Sequence, residues 1–283
     1  MNDVINIKIY QKALPIKYER KIANFMLATF IHFRKLDDKE ITKLNSFVKK
    51  FNKSHKEFQV TPEKCISIRS AYVKEYVIRN MNKIISQMEI IKEEFKSKDI
   101  LELSVKYQHP PVSLLKLIIS NHLMRKKKRK RKGIPNKKEM KNILKSHKQF
   151  KLAEANDIFT STDQKECLEY AELFERELEV YLKNKNIKFK TQEDLVKEQI
   201  EIYGKPVNTP DFLILLKLKI NGQEINWIDA KNYNGANTFL VKKSKKQFKR
   251  YTDEWGYGAA VYRRGFGSKL HFDKTMLIDY EAL

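Results

Sequence analysis

Residues 211–232 read DFLILLKLKINGQEINWIDAKN. Two apolar runs, residues 211–220 and 224–232, flank the dipeptide Asn221-Gly222. Asn-Gly between two such runs is a strong signal for a β-hairpin. The stretch therefore predicts two antiparallel strands. Alternation along the first strand places one set of apolar side chains on a single, core-facing side: Phe212, Ile214, Leu216, Leu218 and Ile220.

The register of this hairpin decides which polar side chains meet at its open end. A two-residue turn with a regular ladder would place Asp211 opposite Asn232, which turns its side chain to the wrong face. A three-residue loop with Gly222 in the left-handed region, closed by a bulge, would bring Asp211 opposite Lys231. We predict the bulged loop.

The segments around the hairpin predict an α/β unit. We expect a helix over residues 164–183, a short strand over 187–190, a helix over about 238–252, a strand over 259–263 and a last apolar segment near 276–280. The order is then helix, three strands, helix, strand. This order indicates a mixed sheet.

The first half of the chain has helical periodicity. Residues 22–33, 67–88 and 112–124 carry apolar residues at mixed three and four spacing, separated by breaks at Thr61-Pro62 and Pro110-Pro111. Short helices with basic outer faces resemble a helix-turn-helix binding module. A helical bundle with solvated lysines is the alternative.

Charge is divided unevenly along the chain. The 283 residues contain 58 Lys+Arg and 35 Asp+Glu, a net charge of +23. Residues 1–150 hold 36 basic and 14 acidic residues, a net charge of +22, and residues 151–283 have a net charge of +1. A basic half indicates a polyanionic partner such as DNA or RNA. Codon bias toward lysine is the alternative, but the balanced second half argues against it.

Eight consecutive basic residues stand out in this half: Arg125, Lys126, Lys127, Lys128, Arg129, Lys130, Arg131 and Lys132. Their mutual repulsion and the following Gly133 make a poor packed helix, so we expect an exposed linker. The run is expected to bind nucleic-acid phosphates or to act as a nuclear localisation signal. We divide the chain into a helical region (1–124), a basic linker (125–150) and an α/β domain (151–283).

Several other classes of protein are disfavoured. Cys65 and Cys167 lie far apart with no CxxC partner, which indicates a reducing compartment. Long uncharged apolar windows and a signal-peptide layout are both lacking, so we expect an intracellular protein without a membrane partner, in the nucleus or cytoplasm if the host is eukaryotic. The histidines show no zinc spacing, and no Walker loop or dinucleotide fingerprint occurs.

Polar residues at the two ends of the hairpin suggest a site. Pro210-Asp211 precedes the first strand, and Asp229 and Lys231 are two apart on the second strand, so their side chains share a face. Phosphodiester hydrolysis at neutral pH uses clustered carboxylates that hold a divalent metal, with a cation near the attacking water and the phosphate. An ordinary ion pair at the edge of a sheet is the alternative.

These residues resemble the PD-(D/E)XK nuclease superfamily, and more closely the TPD-motif family to which the codanin-interacting nuclease belongs. The likeness is carried by four motifs: TPDF at 209–212, INWIDAK at 225–231, QF at 247–248 and GF at 265–266. It covers about residues 174–267, with a weaker likeness over 65–123. The resemblance implies an all-helical basic N-terminal region followed by a restriction-endonuclease-like mixed α/β core (αβββαβ).

The resemblance also implies a metal site. Asp211 and Asp229, helped by the Ala230 carbonyl, would bind Mg²⁺ or Mn²⁺. Lys231 would orient or activate the attacking water and offset negative charge in the transition state.

Further residues are implied on the two helices. A Glu on the first helix often completes such sites, and Glu175 fits best because it shares a stripe with apolar residues; Glu172 and Glu179 lie nearby. A solvated helix face is the alternative. Gln247 and Tyr251, four apart, match a Q-x-x-x-Y pattern that helps to position substrate, with simple packing of Tyr251 as the alternative.

We therefore predict a metal-dependent nuclease that hydrolyses phosphodiester bonds of DNA or RNA, with a basic half that binds the nucleic acid. The family also implies a codanin-like protein partner. One alternative is a non-catalytic adaptor that retains the nuclease fold, and another is a helical DNA-binding regulator with an inert tail. The combination of Asp211, Asp229 and Lys231 favours catalysis, because an adaptor does not need all three.

Overall fold

The computed structural model describes residues 4–30, 33–130, 136–160, 165–238 and 241–283, without the side chains of 124–130, 137 and 165–167. Two compact units are formed. The sheet unit combines Met1–Asn24, Val48–Ala71 and Lys165–Leu283, and the helical unit combines Phe25–Phe47 and Tyr72–Gln164. The sheet unit therefore draws on three separate parts of the chain.

Eleven α-helices occur in the described part of the chain: α1 (Ile16–Thr29), α2 (Asp38–Ser54), α3 (Pro62–Ser86), α4 (Met88–Glu94), α5 (Ile100–Tyr107), α6 (Pro111–Lys130), α7 (Lys137–Ser146), α8 (Phe150–Ala155), α9 (Lys165–Asn184), α10 (Gln192–Tyr203) and α11 (Lys242–Trp255). Two of them begin at proline, which has no N–H to leave unpaired in the first turn. None of the described helices is long and apolar enough to cross a membrane.

The sheet is built from six strands: β1 (Ile5–Ile7), β2 (Phe189–Thr191), β3 (Phe212–Ile220), β4 (Gln223–Lys231), β5 (Gly258–Tyr262) and β6 (Thr275–Asp279). The order is β1-β3-β4-β5-β6, and β2 also pairs with β3. The pairs β2-β3 and β3-β4 are antiparallel, and the pairs β1-β3, β4-β5 and β5-β6 are parallel. The predicted mixed sheet is confirmed, with an additional helix, α10, between β2 and β3.

The two faces of the sheet are covered by different helices. On one face, Phe174 and Leu178 of α9 pack in a core cluster with β3. The predicted apolar face of β3 lies in this cluster, with Leu216 partly buried and the other four side chains buried. On the other face, Phe248 and Tyr251 of α11 pack against Trp227 of β4. The sheet is thus enclosed between α9 and α11.

The prediction of an all-helical first half is wrong at β1. Ile5 pairs with Leu218 and Ile7 with Ile220, so the start of the chain forms a strand on the outer edge of β3. Asn221 extends this contact, because its Oδ1 accepts from the Ile9 N–H at 2.8 Å and its Nδ2 donates to the Ile9 carbonyl at 3.0 Å. The pairing partner lies more than two hundred residues away, so no local pattern could predict this strand.

The helical unit has its own apolar core, formed by α4 to α8. Asp157, which follows α8, is connected to the start of α6. Its Oδ2 accepts a hydrogen bond of 3.0 Å from the Val112 N–H. The prediction of a non-helical linker is wrong for residues 125–130, because α6 continues through Lys130. The first half of α6 packs in the core, with Leu114 and Leu115 fully buried. Lys and Arg then extend it at little cost.

The contribution of the basic run to nucleic-acid binding stays a prediction. Its side chains from Arg125 to Lys130, and all of Arg131 and Lys132, lie outside the part of the chain that the structure describes.

The predicted three-residue loop of the hairpin is wrong. Ile220 pairs with Gln223, so Asn221 and Gly222 form a two-residue turn with φ of 50° and 83°. Both residue types tolerate the positive φ that this turn requires, so no bulge is needed there.

An irregularity occurs further along the hairpin instead. The register shifts between Leu213 and Leu218, and beyond the shift Phe212 pairs with Ile228. Continuing that pairing by one residue places Asp211 opposite Asp229, where we had expected Lys231. Asp211 nevertheless lies on the face that carries Asp229 and Lys231, because the shift restores the required alternation.

The contact between Asn221 and Ile9 gives a first prediction. We expect Asn221→Gly to lower the free energy of unfolding by about 1–3 kcal/mol, because glycine keeps the turn conformation but loses both hydrogen bonds. The measurement is urea denaturation. The control is Gln223→Ala, an exposed position in the same hairpin, with an expected change within about 0.5 kcal/mol. Equal losses in the two variants would contradict the role of Asn221.

Candidate active site

Asp229 and Lys231 form a shielded ion pair on β4. The Asp229 side chain is 1 % exposed and the Lys231 side chain 13 %, and Lys231 Nζ contacts Asp229 Oδ2. The ammonium also lies 5.3 Å from the centre of the Phe248 ring on α11. The predicted pairing of the two side chains on one face is confirmed.

Asp211 joins this pair from the neighbouring strand. Its Oδ2 accepts a hydrogen bond of 2.6 Å from the Ala230 N–H, which lies between Asp229 and Lys231 in the chain. Directly opposed residues of antiparallel strands have Cβ atoms about 5 Å apart. The two carboxylates and the ammonium are thus brought to one end of the hairpin.

The loop before Asp211 is fixed by a buried glutamine of α10. Gln199 Oε1 accepts from the backbone N–H groups of Val207 and Asn208 at 2.7 and 3.0 Å, and its Nε2 donates to the Asn208 carbonyl. Because one side chain satisfies three backbone groups, the loop has a defined conformation where it enters β3.

Side chains from α10 and α11 hold the end of this loop. The Thr209 carbonyl accepts from Gln192 Nε2 at 3.2 Å and from the Tyr251 hydroxyl at 3.1 Å. Asn208 Nδ2 donates to Glu254 at 2.5 Å. The position of the Asp211 carboxylate therefore depends on both helices.

Gln247 connects the charged groups to α11. Its Oε1 accepts from Lys231 Nζ at 3.2 Å, and its Nε2 donates to Asp229 Oδ1 at 3.2 Å and to the Tyr251 hydroxyl at 2.9 Å. Tyr251 in turn donates to Thr209, as described above. The predicted pair Gln247 and Tyr251 thus belongs to the polar network of the site, and Tyr251 also packs in the core.

The site carries more negative charge than its surroundings favour. Burial raises the pKa of Asp211 well above its ordinary value, and the charge of Asp229 raises it further; the Ala230 N–H opposes this shift. Burial also raises the pKa of Asp229, despite the opposing charge of Lys231. The pKa of Glu175 on α9 is raised by burial and then by the charge of Asp229. Protonated or cation-neutralised carboxylates are therefore favoured here.

Lys231 and Tyr251 keep their protons. Burial by itself lowers the pKa of Lys231, but the charge and hydrogen bond of Asp229, together with Tyr233 and Asp211, outweigh it, and the net shift is upward. Burial, followed by the charge of Asp229, raises the pKa of Tyr251 to about 12. Lys231 therefore presents a permanent positive charge at neutral pH, and Tyr251 remains a hydrogen-bond donor.

Glu175 approaches the cluster from the opposite helix layer. It is half-buried on α9, and its interaction with the site is seen in the effect of Asp229 on its pKa. Glu172 and Glu179, the neighbouring candidates, form ion pairs along α9 with Arg176 and Lys183. Glu175 forms no such ion pair with the residues that the structure describes.

Asp211 and Asp229 are carboxylates, the oxygen ligands that a hard divalent cation prefers. Within the described ranges, no group of three or more His, Cys, Asp and Glu side chains could hold a metal ion. Mg²⁺, however, is commonly bound by one or two carboxylates with water and substrate phosphate completing its shell. Asp211 and Asp229 supply two carboxylates in an electrostatic setting that a cation would relieve.

Sequence reasoning missed the residues that support the site. Gln199 forms hydrogen bonds with the loop backbone, and Glu254 accepts one from the Asn208 side chain. The sequence does not distinguish polar helix residues with this role from those that only face solvent. Glu19 is fully buried and accepts from the backbone and side chain of Asn237 at 2.9 and 2.6 Å, which fixes the loop after β4. A glutamate within an apolar helical stripe was the one available signal.

The fold and the cluster define a mixed α and β protein with a buried acid–acid–lysine site at the open end of a hairpin. A family model described as "Protein of unknown function TPD sequence-motif" matches residues 137–281, slightly more than half of the chain. The chain therefore belongs to the TPD sequence-motif family, which confirms the predicted TPD resemblance.

One curated relative is similar over a shorter stretch. It is the uncharacterized protein L539 of Acanthamoeba polyphaga mimivirus, 34 % identical over 120 residues. The matched stretch is 41 % of this chain and 42 % of the viral protein, so the chain spans about two fifths of that relative's length. No solved structure matches the chain significantly.

The crowding of carboxylates gives a second prediction. We expect Asp211→Asn to raise the melting temperature in EDTA, with a gain of about 1 kcal/mol or more in the free energy of unfolding. The substitution removes a buried charge next to Asp229, and the oxygen of the new amide still accepts from the Ala230 N–H. Wild type should gain stability with MgCl₂ or MnCl₂, and the variant should gain little. The measurement is thermal unfolding by circular dichroism.

The matched control for this prediction is Asp273→Asn, at an exposed aspartate of the same unit. It should melt like wild type in EDTA and keep the metal-dependent gain. A gain in Asp211→Asn equal to that of wild type would contradict a metal site at Asp211.

Proposed function

We propose that this protein is a metal-dependent nuclease that hydrolyses phosphodiester bonds in DNA or RNA. The observation that carries the proposal is the pairing of β3 with β4, which places Asp211 next to Asp229 and Lys231. Membership of the PD-(D/E)XK superfamily is part of the proposal. It is supported by the location of this cluster at the open end of a hairpin within a mixed sheet.

Asp211 and Asp229 would hold Mg²⁺ or Mn²⁺, together with the Ala230 carbonyl and water molecules. A bound divalent cation supplies Lewis-acid stabilisation of the phosphate charge and lowers the pKa of bound water. Glu175 is the nearest further carboxylate in electrostatic terms and would accept hydrogen bonds from water at the edge of the site.

Lys231 acts as a fixed cation in this proposal. Because its pKa is raised, it donates hydrogen bonds and does not serve as a general base. Water adds to phosphorus and gives up a proton to solvent, the bond from phosphorus to the leaving oxygen breaks, and that oxygen takes up a proton from solvent. Negative charge grows on the phosphate oxygens during this step, and a preorganised ammonium stabilises it.

Gln247 positions Lys231 and does not itself react. With one amide it binds Lys231, Asp229 and Tyr251, so the ammonium keeps its direction when substrate enters. Such preorganisation lowers the cost of reorienting charged groups during the reaction.

Cleavage assays with labelled single-stranded and double-stranded DNA and RNA test the proposal. We expect wild type to cleave at least one substrate with Mg²⁺ or Mn²⁺. Lys231→Gln and Asp229→Asn should each lower kcat by about 10²–10³-fold or more while binding is retained. The control is Lys188→Gln, an exposed lysine of the same unit, which should cleave like wild type. Absence of cleavage by wild type on every substrate would support the adaptor function instead.

The bridging role of Gln247 gives a separate prediction. We expect Gln247→Ala to lower kcat by roughly tenfold with little change in KM, because Lys231 loses its orientation while the substrate-binding surface is kept. Tyr251→Phe should affect kcat less and cost about 1 kcal/mol of stability through the lost hydrogen bond to Thr209. Steady-state kinetics and urea denaturation measure both. A larger loss of kcat in Tyr251→Phe would contradict this assignment.

A further inference from the structure

The outward side of α11 is strongly basic. Six exposed residues form this basic side: Lys242, Lys243, Lys245, Lys246, Lys249 and Arg250. Lys249 is paired with Asp253 at 2.8 Å. Lys243 and Arg250 form no ion pair with any residue that the structure describes. The nearly neutral net charge of the second half of the chain therefore conceals a local concentration of positive charge.

Two of these cations are neighbours of the proposed site. Lys243 and Arg250 lie four residues before and three residues after Gln247, and residues at these spacings are adjacent on a helix surface. Lys245 and Lys249 lie about half a turn around the helix from Gln247, on the other flank. We call Lys243 and Arg250 the near flank, and Lys245 and Lys249 the far flank.

The arrangement is unfavourable for the helix itself. Lys242 with Lys246, and Lys246 with Arg250, are like charges four residues apart, which repel each other. The first turn contains no acidic residue, and Val241 at the N-cap position provides no side-chain hydrogen bond. Positive charges near a helix N-terminus also oppose the helix dipole. A bound polyanion would relieve all three effects.

The other helix layer has the opposite charge. Along α9, acidic residues occur at Glu169, Glu172, Glu177 and Glu179 in addition to Glu175. A polyanion therefore meets attraction at α11 and repulsion at α9.

One of the two arginines that follow β5, Arg263, is already engaged. Arg263 forms an ion pair with Glu177 at 2.9 Å and lies over the Phe174 ring at 5.2 Å. Arg263 therefore has less attraction left for a polyanion than Lys243 and Arg250 of α11.

We infer that the near flank of α11 binds the phosphate backbone of a nucleic-acid strand and leads it to the cluster of Asp211, Asp229 and Lys231. Lys243 and Arg250 are about 10 Å apart along the helix axis. That distance corresponds to the rise of about three nucleotides of a B-form strand. The inference rests on the proposed function for what happens to the strand, but its binding step is tested separately.

Two double variants of the full chain, each lacking two positive charges of α11, provide the test. Lys243→Gln/Arg250→Gln changes the near flank, and Lys245→Gln/Lys249→Gln changes the far flank. Binding is measured in EDTA by fluorescence anisotropy, over a range of salt concentrations. The probes are single-stranded and double-stranded oligonucleotides of DNA and of RNA with one sequence. Thermal unfolding verifies that both variants fold.

We expect the near-flank variant to raise Kd about tenfold or more at 0.1 M salt and to reduce the slope of log Kd against log salt by about 1.5–2, for two lost phosphate contacts. The far-flank variant should raise Kd less than about threefold. Equal effects of the two variants, or an unchanged slope in the near-flank variant, would overturn the inference.

Cleavage kinetics separate this inference from the proposed function. With Mg²⁺, the near-flank variant should raise KM and keep kcat within about twofold of wild type. Strand binding through the near flank without any cleavage by wild type would overturn the nuclease function and leave the binding surface intact. Cleavage by wild type with identical behaviour of the two double variants would overturn the binding surface and leave the nuclease function intact.

Discussion

The burial of Asp211 and Asp229 side by side is the constraint on which the rest of the sheet unit depends. Two carboxylates in a low-dielectric environment repel each other and lose their hydration. Lys231 and the Ala230 N–H offset part of this cost, as the upward pKa shifts of both carboxyl groups show. Such an arrangement persists only if the surrounding backbone cannot relax away from it. The hydrogen bonds of α10 and α11 to the loop before β3 provide that rigidity.

The charged cluster and its support come from different parts of the sequence. The cluster lies at the open end of one hairpin, whereas its support comes from Gln199, Gln247, Tyr251 and Glu254 on two helices. Because Gln247 binds both members of the ion pair, a movement of α11 would displace the Asp229 carboxylate and the Lys231 ammonium together. The same helix carries the basic side, so the positioning of charge and the proposed binding of phosphate are properties of one element.

Local patterns in the sequence predicted the parts of the site that depend on local geometry. Asp229 and Lys231 share a face because a strand has a period of two, and Gln247 and Tyr251 share a face because a helix has a period near four. The apolar face of β3 followed from the same alternation. The register of the hairpin did not follow from such local patterns. The turn at Asn221-Gly222 is tight, and the register of β3 with β4 shifts between Leu213 and Leu218. On the other edge of β3, β2 pairs with the first residues of the strand and β1 with its last residues. Pairing with such distant segments leaves no local signature.

Other elements escaped prediction for related reasons. The basic residues of α6 repel each other, but the turns before them pack in the core, and adding residues to a formed helix is cheap. In α10, the apolar stripe is short. This helix fixes the loop before β3 through the hydrogen bonds of the Gln199 side-chain amide. Propensity and periodicity describe the preference of an isolated segment. The basic end of α6 depends on the helix that it extends, and α10 depends on the loop that it contacts.

The position of β1 has a consequence for biosynthesis. Ile5–Ile7 leaves the ribosome before its partner on β3, which is translated more than two hundred residues later. At about 5–20 residues per second, roughly 10–40 s pass before the two strands can pair. When residue 164 has been translated, the segments of the helical unit are all present, while the sheet unit still lacks its central hairpin. Every residue of the helical unit is therefore translated before any residue of the acidic cluster.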